Sequence, residues 1–154
     1  MDAIALLKRQ HKEVKGLFKK VDKAERANER RQLMEQIATA LQGHATIEEE
    51  MFYPAVRELG TKKGEEMIDE AFEEHHVVKL VLAELPKVDP EDERFHAKMT
   101  VLSELVEHHA DEEEKEMFKL AKRIGDDGLD ELGERMMERF EQISARGSQR
   151  RAAA

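Results

Sequence analysis

Four times along this chain, apolar side chains recur at alternating spacings of three and four, and each run carries a histidine where the next apolar residue belongs. An α-helix turns once in about 3.6 residues, so such a run lines one buried stripe of a helix. Residues 2 to about 25 carry Ile4, Leu7, His11, Val14, Phe18 and Val21 behind Asp2, a residue type suited to capping a helix start. From about 28 to 58 the stripe reads Met34, Ile37, Leu41, His44, Glu48, Met51 and Ala55. From about 63 to 85 it reads Ile68, Ala71, His75, Val78, Leu82 and Leu85, and Pro86 stops it. From about 91 to 124 it reads Phe95, Met99, Leu102, Val106, His109, Glu113, Leu120 and Ile124, ended by Gly125.

Four long amphipathic helices with short connections predict an all-α, antiparallel up-down-up-down four-helix bundle over residues 1–125. A shorter pattern, Leu129, Leu132, Met136, Phe140 and Ile143, predicts an additional C-terminal helix over 126–145. Its apolar face must pack on the bundle or on another chain, either a homodimer or a protein partner. Residues 146–154 lack apolar periodicity and read as a flexible tail. The composition agrees with this reading. In 154 residues there are three prolines and no tryptophan, and strand-type runs are missing. A net charge of −9 argues against nucleic acid or an anionic membrane as a partner. The N-terminus lacks the long apolar run of a signal peptide, and nowhere do 18 apolar residues follow one another, so a cytoplasmic protein is expected.

The chain also repeats itself. His11 with His75, Val14 with Val78, Ile37 with Leu102, Leu41 with Val106, His44 with His109 and Glu48 with Glu113 pair two similar hairpins. Each hairpin brings one lone histidine and one His-x-x-x-Glu, whose members lie one turn apart on a shared helix face. In an antiparallel hairpin, two residues equidistant from the turn sit at one height. His11, His44 and His75 meet that condition about turns near Ala27 and Gly60. His75 and His109 meet it only if the fourth helix begins above the end of the third.

Four imidazoles and two carboxylates in one buried layer are unfavourable without a cation, because an ionised carboxylate in an apolar medium costs several kcal/mol or more. No cysteine is present, so any metal is held by nitrogen and oxygen. That donor set suits iron or manganese, with zinc compatible. The expected ligands are His11, His44, Glu48, His75, His109 and Glu113, with two ions bridged by the glutamates and Glu114 as the substitute for Glu113. A bundle without metal, its histidines bonded only to one another, is the competing reading.

Other candidates point away from the stripes. His76, His96 and His108 are turned toward solvent, which also sets aside the pairs Glu73 with His76 and Glu93 with His96. The acidic runs Glu48 to Glu50 and Glu112 to Glu114 read as mostly solvated. Tyr53 lies about 180° around the helix from His44. It is expected outward or at a kink beside Pro54, and it approaches the layer only if the helix unwinds there. Gly43 implies a close backbone approach, since a mid-helix glycine costs roughly 1 kcal/mol relative to alanine. The methionines read as core filling.

The segments LLKRQHKEVKGLF, GHATIEEEMFYPAV, EEHHVVKLVLAEL and VEHHADEEEKEMFKLAK together resemble the hemerythrin family, in its HHE cation-binding domains, from about residue 2 to 121. The family's metal positions map onto the same six residues. The resemblance implies two iron ions, oxo- or hydroxo-bridged, and a small ligand: dioxygen, peroxide or nitric oxide. Oxygen-carrying hemerythrins have a fifth histidine where this chain has Lys79, and a proline frequent in the family is Lys119 here. With that ligand missing, about two of some twelve coordination positions stay open, which suggests turnover such as catalase-like peroxide removal. The alternative is an oxygen or iron sensor, or a reversible oxygen-binding protein without turnover.

Overall fold

The computed structural model describes the backbone of residues 1–153 and the side chains of residues 1–147. Helix α1 spans Ala3–Lys23, and Asp2 caps it by accepting a hydrogen bond from the Ala5 N–H at 2.8 Å. The second rod is α2 (Ala27–Ile47), a π turn (Glu48–Phe52) and α3 (Tyr53–Arg57). Helix α4 (Lys62–Glu84) starts at Thr61, whose hydroxyl accepts from the Gly64 N–H at 3.0 Å. A 3₁₀ turn, Leu85–Lys87, ends it at Pro86. The fourth rod joins α5 (Glu93–Glu112), a second π turn (Glu113–Met117) and α6 (Phe118–Ala121). Beyond Gly125, α7 runs over Asp126–Ala153, so the helical backbone continues through the segment read as a tail; Ala154 lies outside the described residues. Among the described residues there is no strand, and no helix is long and apolar enough to cross a membrane.

The fourth rod starts beyond the end of the third, as the height argument requires. Counting rise per residue, α4 and its 3₁₀ turn extend about 20 Å past His75, whereas α5 begins about 24 Å from His109. The remaining difference of about 4 Å is the offset of the two ends.

Two apolar clusters sandwich the polar layer. At the far end, Val14, Phe18, Ile37, Leu41, Leu82, Phe95 and Leu102 pack together near the first and third turns. At the near end, Leu6, Leu7, Ile47, Phe52, Tyr53, Ile68 and Phe118 form a second cluster, joined by Leu129, Leu132 and Met136 of α7. The C-terminal helix therefore packs on the bundle, across α1 and α2. Two glycines permit this. A Cβ on Gly133 would fall 2.2 Å from the carbonyl oxygen of Met1, and one on Gly43 would fall 2.7 Å from the Phe140 ring. The close approach at Gly43 is thus to an aromatic side chain of α7 rather than to another backbone. Nothing lies within 4 Å of a Cβ on Gly16, and we have no physical account of that glycine.

The π turns change the register. The Tyr53 N–H bonds to the Glu48 carbonyl, and the Phe118 N–H bonds to the Glu113 carbonyl, each five residues back. A turn closed this way takes in roughly one extra residue and holds everything after it back by about 100°. The stripe expected at Met51 and Ala55 accordingly gives way to Phe52, Tyr53 and Val56, which are fully buried. In the fourth rod Met117, Phe118 and Ala121 are buried while Leu120 and Ile124 are half-buried. The slip turns Phe52, Tyr53, Val56 and Phe118 inward, each fully buried large side chain contributing about 1.5–3 kcal/mol.

Candidate metal centre

The structure brings His11, His44, Glu48, His75, His109 and Glu113 to one buried layer, each ring turned so that Nε2 faces the middle. Glu48 and Glu113 are 0% and 2% exposed. His11 Nε2 lies 3.2 Å from Glu113 Oε1, and His44 Nε2 lies 3.2 Å from Glu48 Oε1. On the other side, His75 Nε2 is 3.1 Å from Glu48 Oε1 and His109 Nε2 is 3.1 Å from Glu113 Oε2. Each carboxylate therefore reaches toward both histidine pairs. The donors fall into two groups, His11, His44, Glu48 and Glu113, and Glu48, His75 and His109, with Glu48 common to both.

These contacts are close but many lack hydrogen-bond geometry. His11 Nε2, His44 Nε2, both oxygens of Glu48 and Glu113 Oε1 are buried without any hydrogen-bond partner. A buried unpaired polar atom costs about 1–3 kcal/mol, and more when charged, so five in one chamber demand an occupant. Iron and zinc bind nitrogen and oxygen at about 2.0–2.2 Å, which spaces neighbouring donors about 3.0–3.5 Å apart. Donor types, orphaned atoms and spacing all fit metal ions.

The outer nitrogens explain the common orientation. His44 Nδ1 meets Gln10 Oε1 at 2.7 Å and His109 Nδ1 meets Glu74 Oε1 at 2.7 Å. His11 Nδ1 meets Glu114 Oε2 at 3.0 Å and His75 Nδ1 meets Glu49 Oε2 at 2.8 Å. An acceptor at Nδ1 holds the proton there and leaves the Nε2 lone pair facing inward. The partners obey the chain's internal repeat, Gln10 standing where Glu74 stands and Glu49 where Glu114 stands. Glu114, expected as a substitute ligand, thus supports His11 instead, and the acidic runs are not merely solvated. Sequence reasoning passed over Gln10, Glu49 and Glu74. The signal was a hydrogen-bond acceptor just before each lone histidine and just after each inward glutamate.

Tyr53 takes the second of the courses expected for it, inward through an unwound turn. It is fully buried, its hydroxyl donating to Glu113 Oε2 at 2.5 Å and lying 3.3 Å from Nε2 of both His75 and His109. The π turn swings it inward. Phe118 occupies the equivalent place in the other repeat and stacks on His11, with ring centroids 6.0 Å apart. The second donor group therefore gains a phenol that the first lacks. Lys79, at the place of the family's fifth histidine, points away to Glu49 Oε2 at 3.2 Å.

The charges are strongly coupled. Burial works against protonating His11 and His75, yet the carboxylates Glu113 and Glu48 beside them raise both above the ordinary imidazole range. His109 goes the same way, against its burial, through Glu113 and Glu48. Burial would raise Glu48, but the His44 charge and the surrounding imidazoles hold it well below the usual carboxylate range. Burial, then the fields of Glu113 and Glu48, push the Tyr53 hydroxyl far up. In the metal-free chain, His11, His75 and His109 thus favour their protonated forms beside the two carboxylates.

An apolar cavity of about 40 Å³ adjoins the layer on its far side, walled by Val14, Leu41, Val78, Leu82 and Val106, with the four histidines as its floor. A water needs about 10–15 Å³ by this measure, so the space takes a few small molecules and no organic substrate. His76 and His96 are exposed and join no metal-ligating group among the described residues.

Comparison with known proteins shows the family of the chain. The hemerythrin HHE cation binding domain matches residues 2–121. The uncharacterized protein Rv2633c of Mycobacterium tuberculosis and its counterpart in Mycobacterium bovis are each 34% identical over 151 residues, covering 96% of this chain and 89% of theirs. The crystal structure of a hemerythrin HHE cation binding domain-containing protein from Mycobacterium kansasii, an Rv2633c homolog, superposes with a TM-score of 0.81 at 32% identity. It covers 93% of this chain and 87% of that one.

Proposed function

Because the chain belongs to the hemerythrin HHE cation-binding family, we propose that its buried layer holds two iron ions and that the pair reacts with peroxide, disproportionating it, and also binds dioxygen or nitric oxide. The observation that carries this reading is the set of five orphaned nitrogen and oxygen atoms facing one another beside a small apolar cavity. His11 and His44 would hold one ion and His75, His109 and the Tyr53 oxygen the other, with Glu48 and Glu113 spanning both. Tyr53 would fill one of the roughly two positions open in a four-histidine centre, which would leave about one for a ligand.

When bound, the ion pair supplies the two-electron change that peroxide disproportionation needs, two peroxides giving two waters and one dioxygen with no outside reductant. The chain's own residues do the rest. Gln10, Glu49, Glu74 and Glu114 fix the four imidazoles so that no reorganisation is needed at the metal. Val14, Leu41, Val78, Leu82 and Val106 exclude bulk water from the reacting side and admit only small ligands. Tyr53 holds its hydroxyl proton against Glu113 Oε2. Leu129, Leu132 and Met136 of α7, whose apolar face had to pack on the bundle or on another chain, are buried against the bundle.

Oxygen evolution from peroxide tests the proposal. The iron-loaded chain is expected to evolve oxygen well above an equal amount of free iron. A rate equal to free iron, with a reversible oxygen-dependent spectrum, would replace turnover with carriage.

A further inference from the structure

We propose that Glu74, His108 and Glu112 form a separate, solvent-facing site for a divalent first-row transition ion, from which iron passes to the buried centre along the acidic cleft between α4 and α5. His108 and Glu112 stand one turn apart on α5, and Glu74 faces them from α4. His108 Nε2 is 3.2 Å from Glu112 Oε1 and 3.8 Å from Glu74 Oε2, the spacing of donors that share one ion. One imidazole among the carboxylates favours a first-row transition ion over magnesium or calcium, which take oxygen alone. Three protein donors leave the remaining positions to water, which suits an ion that must leave again.

The surroundings give this group a direction. Glu74 is shared, since its other oxygen, Oε1, accepts from His109 Nδ1 at 2.7 Å. Beside it a cleft of about 40 Å³ is lined by Glu70, Glu74, Glu112 and Glu116, with Glu113 and His109 among its walls. Glu113 is 2% exposed, and its Oε2 lies 3.1 Å from His109 Nε2. The cleft thus runs from exposed carboxylates to the buried Glu113, and the excess of carboxylates along it concentrates cations. The apolar cavity on the far side offers no such path to an ion.

The internal repeat supplies an independent contrast. The positions equivalent to Glu74, His108 and Glu112 in the first hairpin are Gln10, Gly43 and Ile47, which offer no group of ligands. They are also covered, because the Phe140 ring of α7 packs on Gly43 and Ile47 is fully buried. One hairpin is sealed by the C-terminal helix. The other presents metal-ligating side chains at the corresponding place.

The uptake route rests on the reading of the buried layer as an iron centre, whereas the outer site does not. Both are tested on the full chain stripped of metal, comparing it with the His108→Ala/Glu112→Gln double variant, at positions whose side chains are 64% and 42% exposed. Equilibrium dialysis against Co²⁺ with excess Mg²⁺ present is expected to find one more bound ion in the parent than in the variant. Ferrous loading is expected to be several-fold slower in the variant, with the same final iron content. Equal ion counts overturn the site, and equal loading rates overturn the route. Failure of the buried centre would show differently, as ions lost from parent and variant alike.

Discussion

At the residue scale, the tyrosine distinguishes the two halves of the centre. Removing the Tyr53 hydroxyl strips a buried carboxylate oxygen of its donor, so Tyr53→Phe is expected to destabilise the metal-free chain by about 1–3 kcal/mol in denaturant titrations. In the ferric protein the same variant should lose any visible band arising from phenolate bound to iron. A parent spectrum without such a band would remove Tyr53 from the ligand set. The imidazole supports act at one remove. Glu74→Ala or Gln10→Ala leaves an Nδ1 proton without its acceptor, for which about a 10–100-fold loss of metal affinity is expected, read by competition with a chelator. Six inward residues could be read from sequence because helical spacing fixes which face a residue joins. Tyr53 was legible only on the condition of an unwound turn, because regular α-helical geometry places it on the opposite face.

At the element scale, the same two π turns set what was legible. Helix existence and order followed from the spacing of Ile4 to Val21 or Phe95 to Val106, where the α-helix is undisturbed. The register failed just after Glu48 and Glu113, where an extra residue enters the turn without any composition signal. The repeat that pairs those glutamates also pairs the π turns, so both arise at the same place in each hairpin. The last helix depends on close approach. Gly133→Ala would drive a Cβ into the Met1–Asp2 backbone, and about 1–3 kcal/mol of destabilisation is expected from such overpacking. Because α7 also ties Arg139 to Glu50 of the first π turn, at 2.9 and 3.1 Å, its displacement should weaken metal retention as well. Unchanged melting and iron content in Gly133→Ala would show that α7 does not support the centre.

At the scale of the whole molecule, the polar layer divides the core in two and makes stability depend on what fills it. An ion pair held at a thousand times its dissociation constant adds about 4 kcal/mol, which in a chain of this size corresponds to roughly 10 °C in melting temperature. Chelation should remove that increment. The effect has a sign in pH. His11, His75 and His109 are raised in the metal-free fold, so their contribution is complete below the unfolded value of 6.5 and is lost as pH rises through their folded values. Metal ligation needs those imidazoles deprotonated and gains over the same range. The gap in melting temperature between loaded and stripped protein should therefore widen as pH rises above about 6.5. A gap that narrows would contradict proton displacement.

The central claim is most directly tested by anomalous diffraction at the iron edge from crystals of the iron-loaded chain. Two peaks are predicted between Glu48 and Glu113, one against His11 and His44 and the other against His75, His109 and Tyr53. A single peak in that layer, or none, would contradict the account.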